Sequence, residues 1–152
     1  MVRYWLFKSE PSAFSFQDLL DAPRKRTLWE GIRNYQARNY LRDEVAVGDG
    51  VLFYHSSSEP PCAVGIARVT AAALPDTTAP RERGKGAETV WFAVEIEARR
   101  ALPRSVPLAE MKANPALAKM LLVQRGQRLS IQPLTESEWR TVLGMGGIAD
   151  RK

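Results

Sequence analysis

Apolar residues come in short bursts along this chain, and the spacing within each burst predicts an element. From Arg3 to Ser9 (RYWLFKS) aromatics fill the middle, a charge stands on either side and Pro11 follows closely. That is the pattern of a buried strand running into a turn. Ser15 then precedes Phe16, Leu19 and Leu20, which share one helical face, and Asp18 stands three residues after the serine as an approximate capping box. PRKR breaks the pattern as a loop, and Leu28–Trp29 reads as a short strand ended by Gly31. Asn34 suits the N-cap of a helix from Tyr35 to about Arg42, with Ala37, Tyr40 and Leu41 facing the core and Arg38 and Arg42 more exposed.

Two apolar strands follow, GDGVLFYHS and CAVGIARVTAA, joined by SSEPP. In a third, VWFAVEIEARRAL, Trp91, Ala93 and Glu95 alternate with Phe92, Val94 and Ile96. Before it lies LPDTTAPRERGKGAET, a polar loop longer than most in a compact domain. PLAEMKANPALAKML predicts two short helices interrupted at Asn114–Pro115, and RLSIQPL a last strand. TESEWRTVLG predicts a closing helix, with Thr135 as cap, Glu138 completing the box and Gly144 as the stop. The order β-α-(β)-α-β-β-β-α-β-α argues an α+β fold around a small curled sheet or barrel. A length of 152 residues fits one domain over 1–152.

Charge adds a location. The net +5 gathers between Arg24 and Arg42, where Arg24, Lys25, Arg26, Arg33, Arg38 and Arg42 face one acid, Glu30. The rest of the chain is balanced. A local basic patch is the footprint of a phosphate or nucleic-acid binder, and equally that of a solvated face. Cys62 is the single cysteine, so no intrachain disulfide or cysteine-rich zinc site can form. No apolar run is long enough to span a bilayer, and the first residues lack the core of a signal peptide, so the expected location is cytoplasmic and no membrane contact is expected.

Candidate chemistry is sparse. His55 is the only histidine; it and Ser56 are adjacent on a strand and point to opposite faces if the strand continues. No Gly-x-Ser-x-Gly elbow or P-loop is present, and no carboxylate cluster stands out for a metal. Among the four tryptophans, Trp5, Trp91 and Trp139 lie in apolar patterns and are expected in the core. Trp29 lies between a basic loop and a polar helix start, where it can either pack or offer a face to a planar ligand.

The blocks YWLFKSEP, WEGIRNYQARNYLR, VGDGVLFYHS, VGIARV and RLSIQPL resemble, in order and spacing, those of the EVE domain. That family belongs to the PUA-like group, alongside the YTH readers of methylated adenine in RNA. The resemblance runs from Tyr4 to about Leu143 and implies a PUA-like curled mixed sheet or pseudo-barrel flanked by short helices. It implies a pocket for a modified base, a methylated or hydroxymethylated cytosine flipped out of DNA. Carried over by block, Trp29 forms an aromatic wall, Lys8 and Ser9 meet the base edge, and Asn34 reads the base while capping its helix. Tyr54, His55 and Ser56 line the pocket, as do Arg128, Ser130 and Gln132. The six basic residues from Arg24 to Arg42 are then the nucleic-acid backbone contacts. The segment from Asp76 to Thr89 departs from the family pattern, as does EVAVGD, which lacks the Met-Lys usual in relatives.

The expectation is a monomeric, non-enzymatic reader of modified DNA, favoured over RNA, with no cofactor and no metal. The alternatives are an RNA-binding module and an enzyme using His55 as acid or base. On this reading Trp29→Ala costs base preference and little stability.

Overall fold

The computed structural model describes residues 2–76, 78, 91–124 and 129–148. Its sheet is organised by a parallel pair of strands far apart in sequence. Strand β1 (Tyr4–Ser9) lies beside β3 (Gly50–His55), with Tyr4 opposite Gly50 and Ser9 opposite His55. Every other pairing is antiparallel. Strands β4 (Cys62–Pro75), β5 (Phe92–Pro107) and β2 (Arg26–Trp29) extend the sheet on one side, and β6 (Ile131–Leu134) closes the other. The order is β2-β5-β4-β3-β1-β6. Repeated register shifts between β4 and β5 bend and twist both strands, because each extra residue unpairs the ladder locally. The result is an α+β curled sheet that stays unclosed, with β2 and β6 as its edges.

Among the described residues four α-helices flank it: α1 (Phe16–Asp21), α2 (Tyr35–Asn39), α3 (Leu108–Ala113) and α4 (Glu136–Met145). Their starts follow from local chemistry. The Ser15 hydroxyl accepts from the Asp18 amide while the Asp18 carboxylate accepts from the Ser15 amide, and Thr135 and Glu138 repeat the device. The Asn34 side-chain oxygen accepts from the Ala37 amide at 2.9 Å. Three boundaries differ from expectation. The helix predicted to Arg42 ends as α-helix at Asn39 and widens into a π-type turn over Tyr40–Glu44. Gly144 lies inside α4, whose closing amide comes from Gly146. PRKR contains a 3₁₀ turn, Pro23–Lys25, in which Arg24 and Lys25 adopt positive φ.

Strand alternation divides the interior into two cores. Trp5, Phe7, Val51, Phe53, Val94 and Ile96 point to one side, with Phe16, Leu19, Ala37 and Leu41 from the first two helical segments. Leu6, Leu52, Tyr54, Met111 and Val142 point to the other. Phe16 lies so close to the sheet that a Cβ on Gly65 would stand 2.4 Å from its ring. The buried Asp49 carboxylate joins distant parts of the chain. It accepts from the Trp5 indole at 2.9 Å and from the amides of Arg3 and Ala46 at 3.1 and 3.0 Å, which offsets the cost of its burial. Among the described residues no helix is long and apolar enough to cross a membrane.

Candidate ligand-binding site

Where β1 ends and β2 ends, their last residues face each other across a cavity of about 450 Å³. It is lined by Lys8, Ser9, Phe14, Thr27, Trp29 and Ile32, and its exposed rim carries Glu10, Ala13, Leu28 and Glu30. Trp29 is only 8% exposed. Its ring packs against Phe7 and Phe53, with centroids at 5.3 and 5.4 Å, and edge-on to Phe14 at 6.4 Å. The tryptophan is thus core on one side and cavity wall on the other. That corrects the expectation that Trp29→Ala would leave stability nearly untouched.

A buried carboxylate fixes the loop that follows. Asp76, at the end of β4, accepts from the Gly31 amide at 2.8 Å, the Arg33 guanidinium at 2.9 Å and both the amide and hydroxyl of Thr78. Gly31 turns the chain there with φ +88°, a conformation that side chains resist. Burial alone would raise the Asp76 pKa, but the donors from Thr78, Gly31 and Arg33 outweigh it and hold it down to about 2. Partial burial also pushes the Lys8 ammonium below its ordinary value.

The remaining expected site residues divide. His55 shares the Ser9 face, yet its Nε2 accepts from the Phe16 amide at 3.0 Å and so caps α1. Its lone pair is committed there, which leaves it unfit as a general base in this conformation. Ser56 donates its amide to the Ser9 carbonyl at 3.0 Å, extending the β1–β3 ladder, and Ser130 accepts from the Lys8 amide at 2.9 Å. Tyr54 is a correction: alternation turns it to the opposite core, where burial, with Cys62 beside it, pushes its phenol up to about 12. Gln132 is corrected likewise. It is fully buried opposite Leu6, its Nε2 donates to the Leu129 carbonyl, and its Oε1 has no partner among the described residues. Asn34 spends its oxygen on the helix cap and is not part of the cavity wall. Arg128 lies outside the described residues.

The basic residues divide as well. The Arg42 guanidinium grips Asp43 with two bonds of 2.8 Å, Arg33 is held by Asp76, and Arg26 lies 3.8 and 3.5 Å from Glu95 and Glu97. Arg38 stacks over Tyr35 at 5.0 Å and donates to Asn39. As free phosphate contacts, Arg33 and Arg42 are weakened by these carboxylates. Arg24 and Lys25 project from the turn before β2, and no ion pair with another described residue holds them. Sequence reading passed over Glu10, Glu30 and Asp76, although an Asp two residues before a Thr at a strand end is an Asx-turn signal.

The His55 cap has a pH consequence. Burial lowers the His55 pKa below its ordinary 6.5, so the unfolded chain binds the proton more readily. Stability is therefore fully present above about pH 6.5 and falls as pH drops through the depressed folded value. In His55→Asn, thermal melts across that window should show a shallower decline; an unchanged decline would remove His55 as its source.

A curled, unclosed α+β sheet flanked by short helices is a PUA-like fold. The chain belongs to the EVE domain family, whose model matches residues 3–145. It is 36% identical to human thymocyte nuclear protein 1, over 93% of this chain and 73% of that protein. The structure of that human protein in complex with 5-methylcytosine-containing DNA superposes with a TM-score of 0.85 at 35% identity, covering 97% of this chain and 99% of the other. The YTH domain of Zygosaccharomyces rouxii MRB1, solved with N6-methyladenosine RNA, has a TM-score of 0.55 at 15% identity, covering 95% and 86%, a likeness of fold.

Proposed function

We propose that this protein reads a modified nucleobase, a methylated or hydroxymethylated cytosine flipped out of DNA into the Trp29 cavity. The observation that carries the reading is the cavity itself, on a chain 35% identical to a protein solved with 5-methylcytosine-containing DNA. A volume of about 450 Å³ lies in the lower part of the range for small-ligand pockets. Trp29 supplies a stacking face worth roughly 1–3 kcal/mol, which offsets the few kcal/mol spent on unstacking the base. Glu10 and Glu30 accept from an exocyclic amine, the donor that separates cytosine from thymine. Lys8 supplies a donor for a ring acceptor. Leu28 and Ile32 give the added methyl group apolar contact, worth on the order of 0.8 kcal/mol, or about fourfold in affinity. Arg24 and Lys25 contribute sequence-independent attraction to phosphates beside the cavity.

Binding needs no catalyst, and the protein acts as a monomeric reader rather than an enzyme. Matched oligonucleotides test it: 5-methylcytosine DNA, plain DNA, and RNA with and without the same mark. Modified DNA should bind at least about fourfold more tightly than plain DNA and more tightly than either RNA. Equal affinity for marked and plain DNA overturns the reading, and tighter binding of marked RNA transfers it to RNA.

A further inference from the structure

A second cleft, of about 350 Å³, opens at the other end of β1, where Tyr4 and Trp139 meet β4 and β5. Tyr4 stacks on Trp139 with centroids 4.6 Å apart and planes 26° from parallel. The pair lies directly on Gly50: a Cβ there would stand 2.8 Å from the Tyr4 ring and 2.9 Å from the Trp139 ring. Beside this aromatic pair stand Arg68, Arg99 and Arg100. None of the three belongs to the basic cluster around β2 and α2.

A register shift brings the arginines together. Ile66 pairs with Arg100 while Ala67 pairs with Ala98, so Arg99 is the extra residue of a β-bulge. Bulges re-aim side chains, and here consecutive arginines line one cleft rather than opposite faces of the sheet. Their charge is poorly met. The Glu97 carboxylate lies 3.8 Å from Arg68 and 3.9 Å from Arg99, and it also faces Arg26 at 3.5 Å. One carboxylate thus stands among three guanidiniums at loose distances, and no ion pair with another described residue holds Arg100.

We propose that this cleft is a second nucleic-acid contact, binding a backbone phosphate of a strand with an adjacent base or sugar laid against the Tyr4–Trp139 pair. Guanidinium forks match phosphate oxygens, and an aromatic surface accepts any base face. The cleft is independent of the Trp29 cavity. The five-residue rise along β1 separates Tyr4 from Ser9 by about 16 Å, and Tyr4 packs with the core on the opposite face from Trp29. One nucleotide cannot fill both.

The test is fluorescence anisotropy with a labelled, unmodified single-stranded oligonucleotide of mixed sequence, over a range of salt concentrations. Two double variants with equal loss of charge are compared: Arg99→Ala/Arg100→Ala, and Lys112→Ala/Lys119→Ala on exposed positions elsewhere. Thermal melts check that both are folded. The arginine variant should bind about tenfold more weakly at low salt, with its salt slope reduced by roughly 1–2, and the lysine variant should change less than twofold. Equal losses in the two variants overturn the site, since net charge alone would explain them. Deoxycytidine monophosphate and inorganic phosphate serve as competitors. If neither displaces the strand below millimolar concentration, the strand is the ligand. Displacement by micromolar mononucleotide overturns the strand as ligand. The ratio of affinities for marked and plain DNA should stay at its wild-type value in the arginine variant, which separates this cleft from the Trp29 cavity.

Discussion

Trp29→Ala should lower stability by about 3–5 kcal/mol, the usual cost of truncating a buried tryptophan. The ring is 8% exposed and packs on Phe7, Phe14 and Phe53, so removing it opens a void between β1, β2 and β3 that fixed neighbours cannot fill. In a chain of this length that corresponds to a fall of roughly 6–20 °C in melting temperature. Calorimetry or thermal denaturation followed by near-ultraviolet circular dichroism measures it. A change of only a degree or two would mean that the ring is a dispensable wall. The consequence for binding studies is direct: lost affinity in Trp29→Ala confounds unfolding with lost stacking. Trp29→Phe keeps part of the packing and is the better probe of stacking.

Asp76→Asn should cost about 2 kcal/mol at neutral pH. The carboxylate has an ordinary pKa of 3.8 and is held at about 2, and every tenfold loss of proton affinity on folding contributes about 1.4 kcal/mol. A depressed carboxylate pKa contributes stability that is complete above the unfolded value and is lost as pH falls through the folded value. The gap between wild type and variant should therefore close as pH drops from 3.8 to about 2. Urea denaturation at a series of acid pH values reads that gap, and a gap independent of pH would show that charge is not what Asp76 contributes. The same variant should loosen the turn after Trp29, because the Gly31 amide and the Arg33 guanidinium both depend on this carboxylate. Faster amide exchange at Gly31 is the local sign, and its absence would separate the turn from Asp76.

What could be read from the sequence was largely what acts over three or four residues. Ser15 with Asp18, Asn34 with Ala37 and Thr135 with Glu138 are such bonds, and their side chains name the helix starts unaided. The parallel pairing of β1 with β3 and the bonds of Asp49 to Trp5 and Asp76 to Gly31 join residues 44 or more apart. No local pattern announces them. Trp91 and Trp139, expected in the core, instead form half-buried stacks on Tyr35 and Tyr4, because a curled sheet leaves rims that periodicity alone does not reveal.

The candidate site was legible in part for the same reason. Lys8, Ser9 and Trp29, expected to bind a base, line one cavity, and their part in binding is the proposal tested below. A matched block of consecutive residues carries no information on faces, however, and the two-residue period of a strand parts Tyr54 from His55. Glu10 and Glu30 join the cavity through the turns after β1 and β2, which bring together residues twenty positions apart. Arg26 and Arg33 counted as free charges in sequence, yet each meets a carboxylate that only the folded arrangement supplies, whereas Arg42 pairs with Asp43, its neighbour in the chain.

The most direct measurement fills the cavity without disturbing its walls. Ala13 lines the cavity and is exposed, so a larger side chain there adds bulk at the cavity mouth without replacing a buried one. In Ala13→Trp the quantity to measure is the ratio of affinities for 5-methylcytosine and plain DNA, alongside the melting temperature. The expected result is a ratio that falls to about one, with plain-DNA affinity and melting temperature close to wild type. A folded Ala13→Trp protein that keeps the wild-type ratio would contradict base recognition in the Trp29 cavity.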